Sequence, residues 1–308
     1  MSNLSLDFVD VDRQLPPELL PVTEDAALAI GRMADPQKRK VMADKLDQTL
    51  RGAWTVISVK DHEHPIGLVA VKAAGDDAQL VFGHVMRPYE RESKEILIAL
   101  VRLLTDRGFR VIRSIFVWPE PERFIEAAPA AGFARLDRMD MIRENDGSPA
   151  GHKAPKDTAI ASWSPEYFED VARIIFENYF TEDLIANPVA NKPEGCRTHL
   201  HNIITDSYGA FTPGRSFVAV HDGRPVGCLL TSALLPGNAL VVELAVDREF
   251  RGRGIASAMI GSLIGVMAEK SHIRLTVTVS NNAAVRLYER LGFQVSARIA
   301  YYVLVRES

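Results

Sequence analysis

The chain has 308 residues, 47% of them hydrophobic and 25% charged, with a formal net charge of -4. That composition excludes a disordered chain, a collagen and a disulfide-stapled miniature, and the length accommodates two domains, each with its own core. A pI near 6.1 leaves no excess of positive charge to hold nucleic acid or an anionic membrane nonspecifically, so neither is expected as a partner.

The opening segment, Met1 to Leu20, carries acids and prolines where a signal peptide needs a basic start and a continuous apolar stretch, so export is not expected. In the first half, His64-Pro65-Ile66-Gly67 reads as a turn leading into an apolar strand, and Leu80-Val81-Phe82 reads as another strand. Ala131-Gly132-Phe133 closes a helical pattern. The polar run Asn145 to Gly151 is the natural linker and sets domain boundaries near 1–148 and 152–308. Ser164-Pro165-Glu166 has the form of a helix start, followed by Phe168, Val171, Ile174, Ile175 and Phe176 at helical spacing. Ser216 to His221 and Val226 to Leu230 form a hairpin through Asp222-Gly223, and Leu240 to Val246 is a further strand. A helix begins after Arg251-Gly252-Arg253-Gly254. Its apolar run, Ile255 to Ala268, is too short and too rich in glycine and serine to cross a bilayer, which needs roughly 20 residues. Ile273 to Val279 returns as a strand, Asn282 to Leu291 is a helix stopped by Gly292, and Phe293 to Val295 with Ile299 to Val305 close the sheet. The fold class is therefore α/β (α+β), with a mixed sheet between helices on both faces.

The two halves also repeat one another. With residue 64 laid over residue 224, the turn and strand at His64 to Ala70 fall on Arg224 to Leu230 without a gap. Leu80-Val81-Phe82 falls on Leu240-Val241-Val242, Arg91 on Arg251, and Ala131-Gly132-Phe133 on Leu291-Gly292-Phe293. Single glycine or proline matches mean nothing, but four ordered matches at one offset point to a duplicated domain.

Chemistry concentrates in the second copy. Gly252 and Gly254 lie where a strand turns into a helix, a geometry that directs several unpaired amides toward one point and attracts an anion. Glycine suits the positive φ such a turn demands and lets a phosphate approach closely. Helix polarity contributes about 0.3–1 kcal/mol, whereas each hydrogen bond to a charged group contributes about 1.5–3 kcal/mol, so the amides dominate. Arg251 and Arg253 add charge.

Leu244-Ala245-Val246, the run Asp247 to Ala256, and the series Ser280 to Phe293 together resemble the GNAT superfamily of N-acetyltransferases. Arg251, Gly254 and Ala256 meet that family's glycine loop; Asn281, Ala283, Leu287-Tyr288 and Gly292-Phe293 meet its second motif. The resemblance covers roughly residues 215–305. It implies two GNAT-like domains, each a mixed, mostly antiparallel twisted sheet flanked by helices on both faces. It implies acetyl-CoA as co-substrate and no metal, with the pyrophosphate gripped by amides of Arg251, Gly252, Arg253, Gly254, Ile255, Ala256 and Ser257. In the family a bulge splays the fourth strand, here Leu240 to Val246, from the fifth, and the pantetheine arm enters the gap. Backbone amides near Ala245 and Val246, with Leu244 beside them, become the expected oxyanion donors. Asn281 would bond the pantetheine, cap the following helix, or do both.

Direct attack by an amine on a thioester needs a neutral nucleophile and a proton for the departing thiolate. A lysine-like amine costs about 4.6 kcal/mol to neutralise at pH 7, an α-amine near pKa 8 only about 1.4 kcal/mol. Some family members place a base glutamate in the fifth strand where this chain has Thr276, which leaves Glu243 as the candidate base, against the alternative of an ordinary strand carboxylate. Tyr288 stands at the family's acid position, against the alternative of a packing tyrosine. His199 and His201 read as packing or surface residues. Cys196 and Cys228 lack partners at metal-ligand spacing and read as structural thiols of a cytoplasmic protein.

The first copy breaks its own motif. Arg251 to Ala256 becomes Arg91-Glu92-Ser93-Lys94-Glu95-Ile96, Tyr288 becomes Ala128 and Asn281 becomes Pro121. Carboxylates at Glu92 and Glu95 would repel a pyrophosphate, so this copy is expected to keep the fold and lose the co-substrate. The expected activity is acetyl transfer to a primary amine of a small molecule or peptide, in a ternary complex, with a homo-oligomer compatible. The alternatives are another acyl donor or acceptor, as in mycothiol-synthase-like tandem relatives, and a noncatalytic acyl-CoA sensor or partner module.

Overall fold

The computed structural model describes residues 4–9, 15–116, 118–146, 153–233 and 237–306. In chain order the elements are β1 (Leu4–Val9), α1 (Leu20–Gly31), α2 (Pro36–Leu50), β2 (Thr55–Asp61), β3 (His64–Ala74), β4 (Asp77–Val85), α3 (Ser93–Asp106), β5 (Val111–Ser114), α4 (Glu122–Ala127) and β6 (Ala134–Glu144). They continue as β7 (Thr158–Ser162), α5 (Phe168–Asn178), α6 (Asp183–Ala186), α7 (Pro193–Ile204), β8 (Ala210–Phe211), β9 (Phe217–His221) and β10 (Arg224–Ala233). The last are β11 (Ala239–Val246), α8 (Ile255–Val266), β12 (His272–Thr278), α9 (Asn282–Arg290) and β13 (Gln294–Val305).

The chain divides into two compact units, Met1–Leu136 with Ala300–Ser308, and Asp137–Ile299. Unit 1 has the strand order β1-β2-β3-β4-β5-β13 and unit 2 the order β7-β9-β10-β11-β12-β6. Each sheet is antiparallel except for one parallel pair, β4 with β5 and β11 with β12. Alternation along the strands sends side chains to two cores. In unit 1, Val56, Leu68 and Ala70 face α1 and α2, while Ile57, Val69 and Val71 face α3 and α4. In unit 2, Val218, Cys228 and Leu230 face α5 and α7, while Ala219 and Leu229 face α8 and α9.

The units differ from the contiguous halves 1–148 and 152–308 that the linker suggested. The final strand of each sheet comes from the other half of the chain: Arg138 to Glu144 of β6 pairs antiparallel with Thr278 to His272 of β12, and Tyr302 to Val305 of β13 pairs with Ser114 to Val111 of β5. The two closing strands expected at Phe293 to Val305 are one continuous strand whose far end belongs to unit 1. Asn145 shows why β6 stays with unit 2. Its buried amide donates to the carbonyls of Ile264, Met267 and Ala268 at the end of α8, and its backbone bonds Ser271 and Lys270. Asn145 is thus a C-terminal cap and not linker; of the expected linker, residues 147–151 lie outside the described residues.

Candidate active site

β11 carries the irregularity on which the site depends. Its register against β10 jumps from Glu243 opposite Leu230 to Val241 opposite Thr231, so Val242 is an extra, bulged residue. Pairing with β12 covers only Ala239 to Val241, and from the bulge to Val246 the strand has no neighbour on that side among the described residues. The amide of Asp247 donates to Val226 of β10 at 2.8 Å. Because successive amides alternate sides, those of Val246 and Leu244 face the open edge while that of Ala245 faces β10. Of the donors expected near Ala245 and Val246, Val246 therefore faces the open edge and Ala245 does not, while Leu244 does.

Beside this edge lies the glycine loop. Gly252 and Gly254 hold φ of 74° and 86°, which only glycine adopts without strain, and a Cβ on Gly252 would meet nothing within 4 Å. Conformation, and not crowding within the chain, is the requirement at Gly252. Among the described residues, the amides of Gly252, Arg253, Gly254, Ile255 and Ala256 have no backbone acceptor, whereas that of Arg251 donates to Arg248. Ser257 follows in the first turn of α8 and is buried. Five consecutive amides at a helix start are a ready anion cradle.

Arg251 departs from its expected role as loose positive charge. Its guanidinium bonds the carbonyl of Val246 at 3.0 Å and that of Asn178 at 3.1 Å. The Asn178 amide donates in turn to the buried carboxylate of Asp247 at 2.9 Å, which Arg224 also reaches. This network ties the loop to the ends of β11 and α5. Burial, with the neighbouring Arg248, pushes the Arg251 guanidinium down from its usual value. Arg253 instead lies over the ring of Phe250, 5.0 Å from its centre.

Glu243 and Tyr288 approach the open edge from opposite faces of the sheet. The Glu243 side chain is 15% exposed and receives His199 Nε2 of α7 at 3.3 Å. Tyr288 on α9 is buried, and burial, followed by the charges of Glu243 and Asp183, pushes its phenol far above the usual range. It remains protonated throughout physiological pH. Asp183 of α6 accepts the hydroxyl of Thr278, and burial raises its carboxyl despite that bond and the nearby Arg138. Tyr179 accepts the Asn187 amide at 3.2 Å and is raised by burial and by Glu243. Asn281 caps α9 by accepting the Ala284 amide at 3.2 Å, so the capping alternative is realised. Thr276 gives its hydroxyl to Asp140 of β6 at 2.6 Å.

His199, read from sequence as a packing residue, is brought to the candidate base. Cys196, Leu200 and Ile203 form the buried stripe of α7, and His199 falls on the same stripe. A titratable residue on an otherwise apolar helical face is the signal that could have found it. Cys196 and Cys228 are buried free thiols, and burial with the charge of Glu243 pushes Cys196 up to about 11. Among the described residues no cluster of His, Cys, Asp and Glu could hold a metal, and no helix is long and apolar enough to cross a membrane.

Residues 175–293 match the model of the family described as Acetyltransferase (GNAT) family. The chain is 32% identical over 124 residues to an uncharacterised N-acetyltransferase of Methanocaldococcus jannaschii, a stretch covering 39% of this chain and 78% of that protein. The chain belongs to the GNAT family. It is also 34% identical over 110 residues to the N-alpha-acetyltransferase MAK3 of Arabidopsis thaliana, covering 34% of this chain and 58% of that relative's length. A tandem GNAT protein from the clavulanic acid biosynthesis pathway superposes on 99% of the chain and 100% of its own, with a TM-score of 0.50 at 15% identity, a likeness of fold.

Seen as a second GNAT unit, unit 1 keeps the splay and differs from unit 2 at the positions that correspond to the glycine loop and Glu243. Its register jump leaves Val81 as the bulge, and β5 pairs with β4 only from Asp77 to Leu80. Leu80 therefore corresponds to Val241, one position beyond the sequence match with Leu240, and Glu243 corresponds to the fully buried Phe82. Gly254 is replaced at the helix start by Glu92, with φ of -97°. Beside the free edge, the indole of Trp118 lies so near Gly83 that a Cβ there would sit 2.8 Å from its ring. Phe116 and Phe124 pack edge-on against the same indole.

Proposed function

We propose that unit 2 transfers the acetyl group of acetyl-CoA to a primary amine by direct attack, with both substrates bound together. The observation that carries this reading is the unpaired edge of β11 from Glu243 to Val246, adjoining five acceptor-free amides at the start of α8. The amides of Gly252 to Ala256 would hold the pyrophosphate, and the open edge would take the pantetheine as a supplementary strand. Leu244 and Val246 present amides where the thioester oxygen gains charge. Glu243 removes a proton from the acceptor ammonium, directly or through water, and the freed nitrogen lone pair forms the new C–N bond. As the C–S bond breaks, the electron pair leaves on sulfur and Tyr288 donates its phenolic proton there. A phenol raised above its usual value gives up that proton only if it is replaced: the attacking nitrogen sheds its second proton as the intermediate collapses to the amide, that proton restores Tyr288, and Glu243 releases the first to water.

The likeness to an N-alpha-acetyltransferase supports an amine acceptor, and the α-amino group of a peptide or small molecule suits a single carboxylate base because it is cheaper to neutralise than a lysine. In unit 1 the Trp118 indole against Gly83 and the Glu92 carboxylate at the helix start support a unit without acetyl-CoA. Release of free thiol from acetyl-CoA in the presence of α-amino peptides tests the assignment. Tyr288→Phe and Glu243→Gln should each lower kcat by about 10²–10⁴-fold with acetyl-CoA affinity unchanged. Full activity in either variant removes that residue from the chemistry.

A further inference from the structure

The candidate base is itself held in place. Glu243 Oε2 lies 3.3 Å from His199 Nε2, and on the far side of the ring His199 Nδ1 lies 3.3 Å from the hydroxyl of Tyr208. The Tyr208 and His199 rings meet edge to face with centroids 5.6 Å apart, which fixes the imidazole plane. The chain of groups runs from a carboxylate with 15% exposure, through a histidine with 9%, to a tyrosine with 39%. Its polarity follows from the ends. An ionised Glu243 can only accept, so Nε2 must carry hydrogen; a neutral imidazole then has its lone pair on Nδ1, and Tyr208 must donate to it. One carboxylate oxygen is thereby occupied and the other is left for an incoming ammonium.

We propose that His199 is a positioning residue for Glu243, locked by Tyr208 in the Nε2–H tautomer so that the carboxylate presents one oxygen, in one orientation, to the acceptor amine. The proposal rests on the reading of Glu243 as the base. It also explains why a histidine stands among Cys196, Leu200 and Ile203, where packing alone would favour an aliphatic side chain. Removing the ring takes from the Glu243 carboxylate, which lies near Asp183, Tyr179 and Tyr288, the N–H that chooses its rotamer. The step itself is unchanged: the amine proton goes to Glu243, and His199 neither gains nor loses one.

Long-range nitrogen–proton correlation spectra of the imidazoles, with no acceptor present, read the tautomer. The His199 signals, identified by their loss in His199→Gln, should show a protonated Nε2 and a bare Nδ1 at pH 8. Glu243→Gln or Tyr208→Phe should convert this single form to a mixture. An Nδ1–H tautomer in the unaltered protein, or one insensitive to both substitutions, overturns the proposal. Thiol release with a library of lysine-free peptides bearing α-amino groups supplies the kinetic arm. His199→Phe should lower kcat roughly tenfold to a hundredfold at unchanged KM for acetyl-CoA, and His199→Gln, which still offers an N–H, should recover part of the loss. Full activity in Glu243→Gln removes the base reading itself. An inactive Glu243→Gln beside a fully active His199→Phe leaves the base in place and overturns only the positioning role.

Discussion

At the residue scale, the site is defined by which polar groups the fold commits elsewhere. Arg251 was legible as part of a glycine-loop motif, but its guanidinium belongs to the carbonyls of Val246 and Asn178 and serves the loop's position. Asn281 was legible both as a cap and as a ligand, and the Ala284 amide realises the cap. Tyr288 was proposed because a motif fixes its position and Glu243 because Thr276 stands where some family members carry a base, whereas His199 has no motif and depends on which strand α7 covers. Asp183 was not readable at all, since nothing local shows that α6 turns its carboxylate toward Thr278. Its carboxyl is raised chiefly by burial. The folded chain therefore holds that proton more tightly than the unfolded chain. The stability this group contributes is full below the unfolded carboxylate value and falls as pH rises through that value toward the folded one. Asp183→Asn keeps an oxygen for Thr278 and removes the charge. Its urea midpoint should exceed that of the unaltered protein at pH 7 and match it near pH 3, about a unit below the ordinary aspartate value. An equal deficit at both pH values would show that the charge is not what burial penalises.

At the element scale, local patterns announce strands and helices, but the edge at which a strand docks is a long-range choice. Phe293 to Val295 and Ile299 to Val305 alternate as a strand should, yet nothing within them says that Tyr302 to Val305 completes the sheet of unit 1. Likewise the alternation in β6 leaves its partner open, and the decision rests on Asn145 capping α8. The bulge was expected from family likeness, while its one-residue displacement between the copies was hidden by the turn matches on either side. Helix faces were legible to about one residue: the spacing in α5 marks Val171, Ile174 and Ile175 correctly, but Phe176 is 37% exposed. Tyr302 is 3% exposed and meets Phe116 edge-on at 5.1 Å in the core of unit 1. Tyr302→Ala should cost about 3–5 kcal/mol. That loss should appear as faster hydrogen exchange across β4 and β5, while the amides of β10 keep their protection. Uniform loss of protection in both units would show that Tyr302 to Val305 do not serve unit 1 alone.

At the scale of the whole molecule, the two units carry their strands in the same order, and the glycine loop stands at one of the two corresponding helix starts, that of α8. Duplication was visible in the offset of turns, and degeneration in the loss of the glycines. What sequence did not show is what packs on the first copy's strand past its bulge. With Phe82 in place of Glu243 on one face and the Trp118 indole over Gly83 on the other, β4 past its bulge packs against aromatic carbon on both faces. The two splays thus differ in what lies on them, and the proposed function assigns the co-substrate to the one in unit 2.

Titrating acetyl-CoA into the nitrogen-15-labelled protein, while following every backbone amide, tests the central claim most directly. The signals of Gly252, Gly254, Ile255, Leu244 and Val246 should move together and saturate at one equivalent per chain, with Gly83 unmoved. Saturation at two equivalents, or a set of shifting amides that leaves out the start of α8, would contradict it.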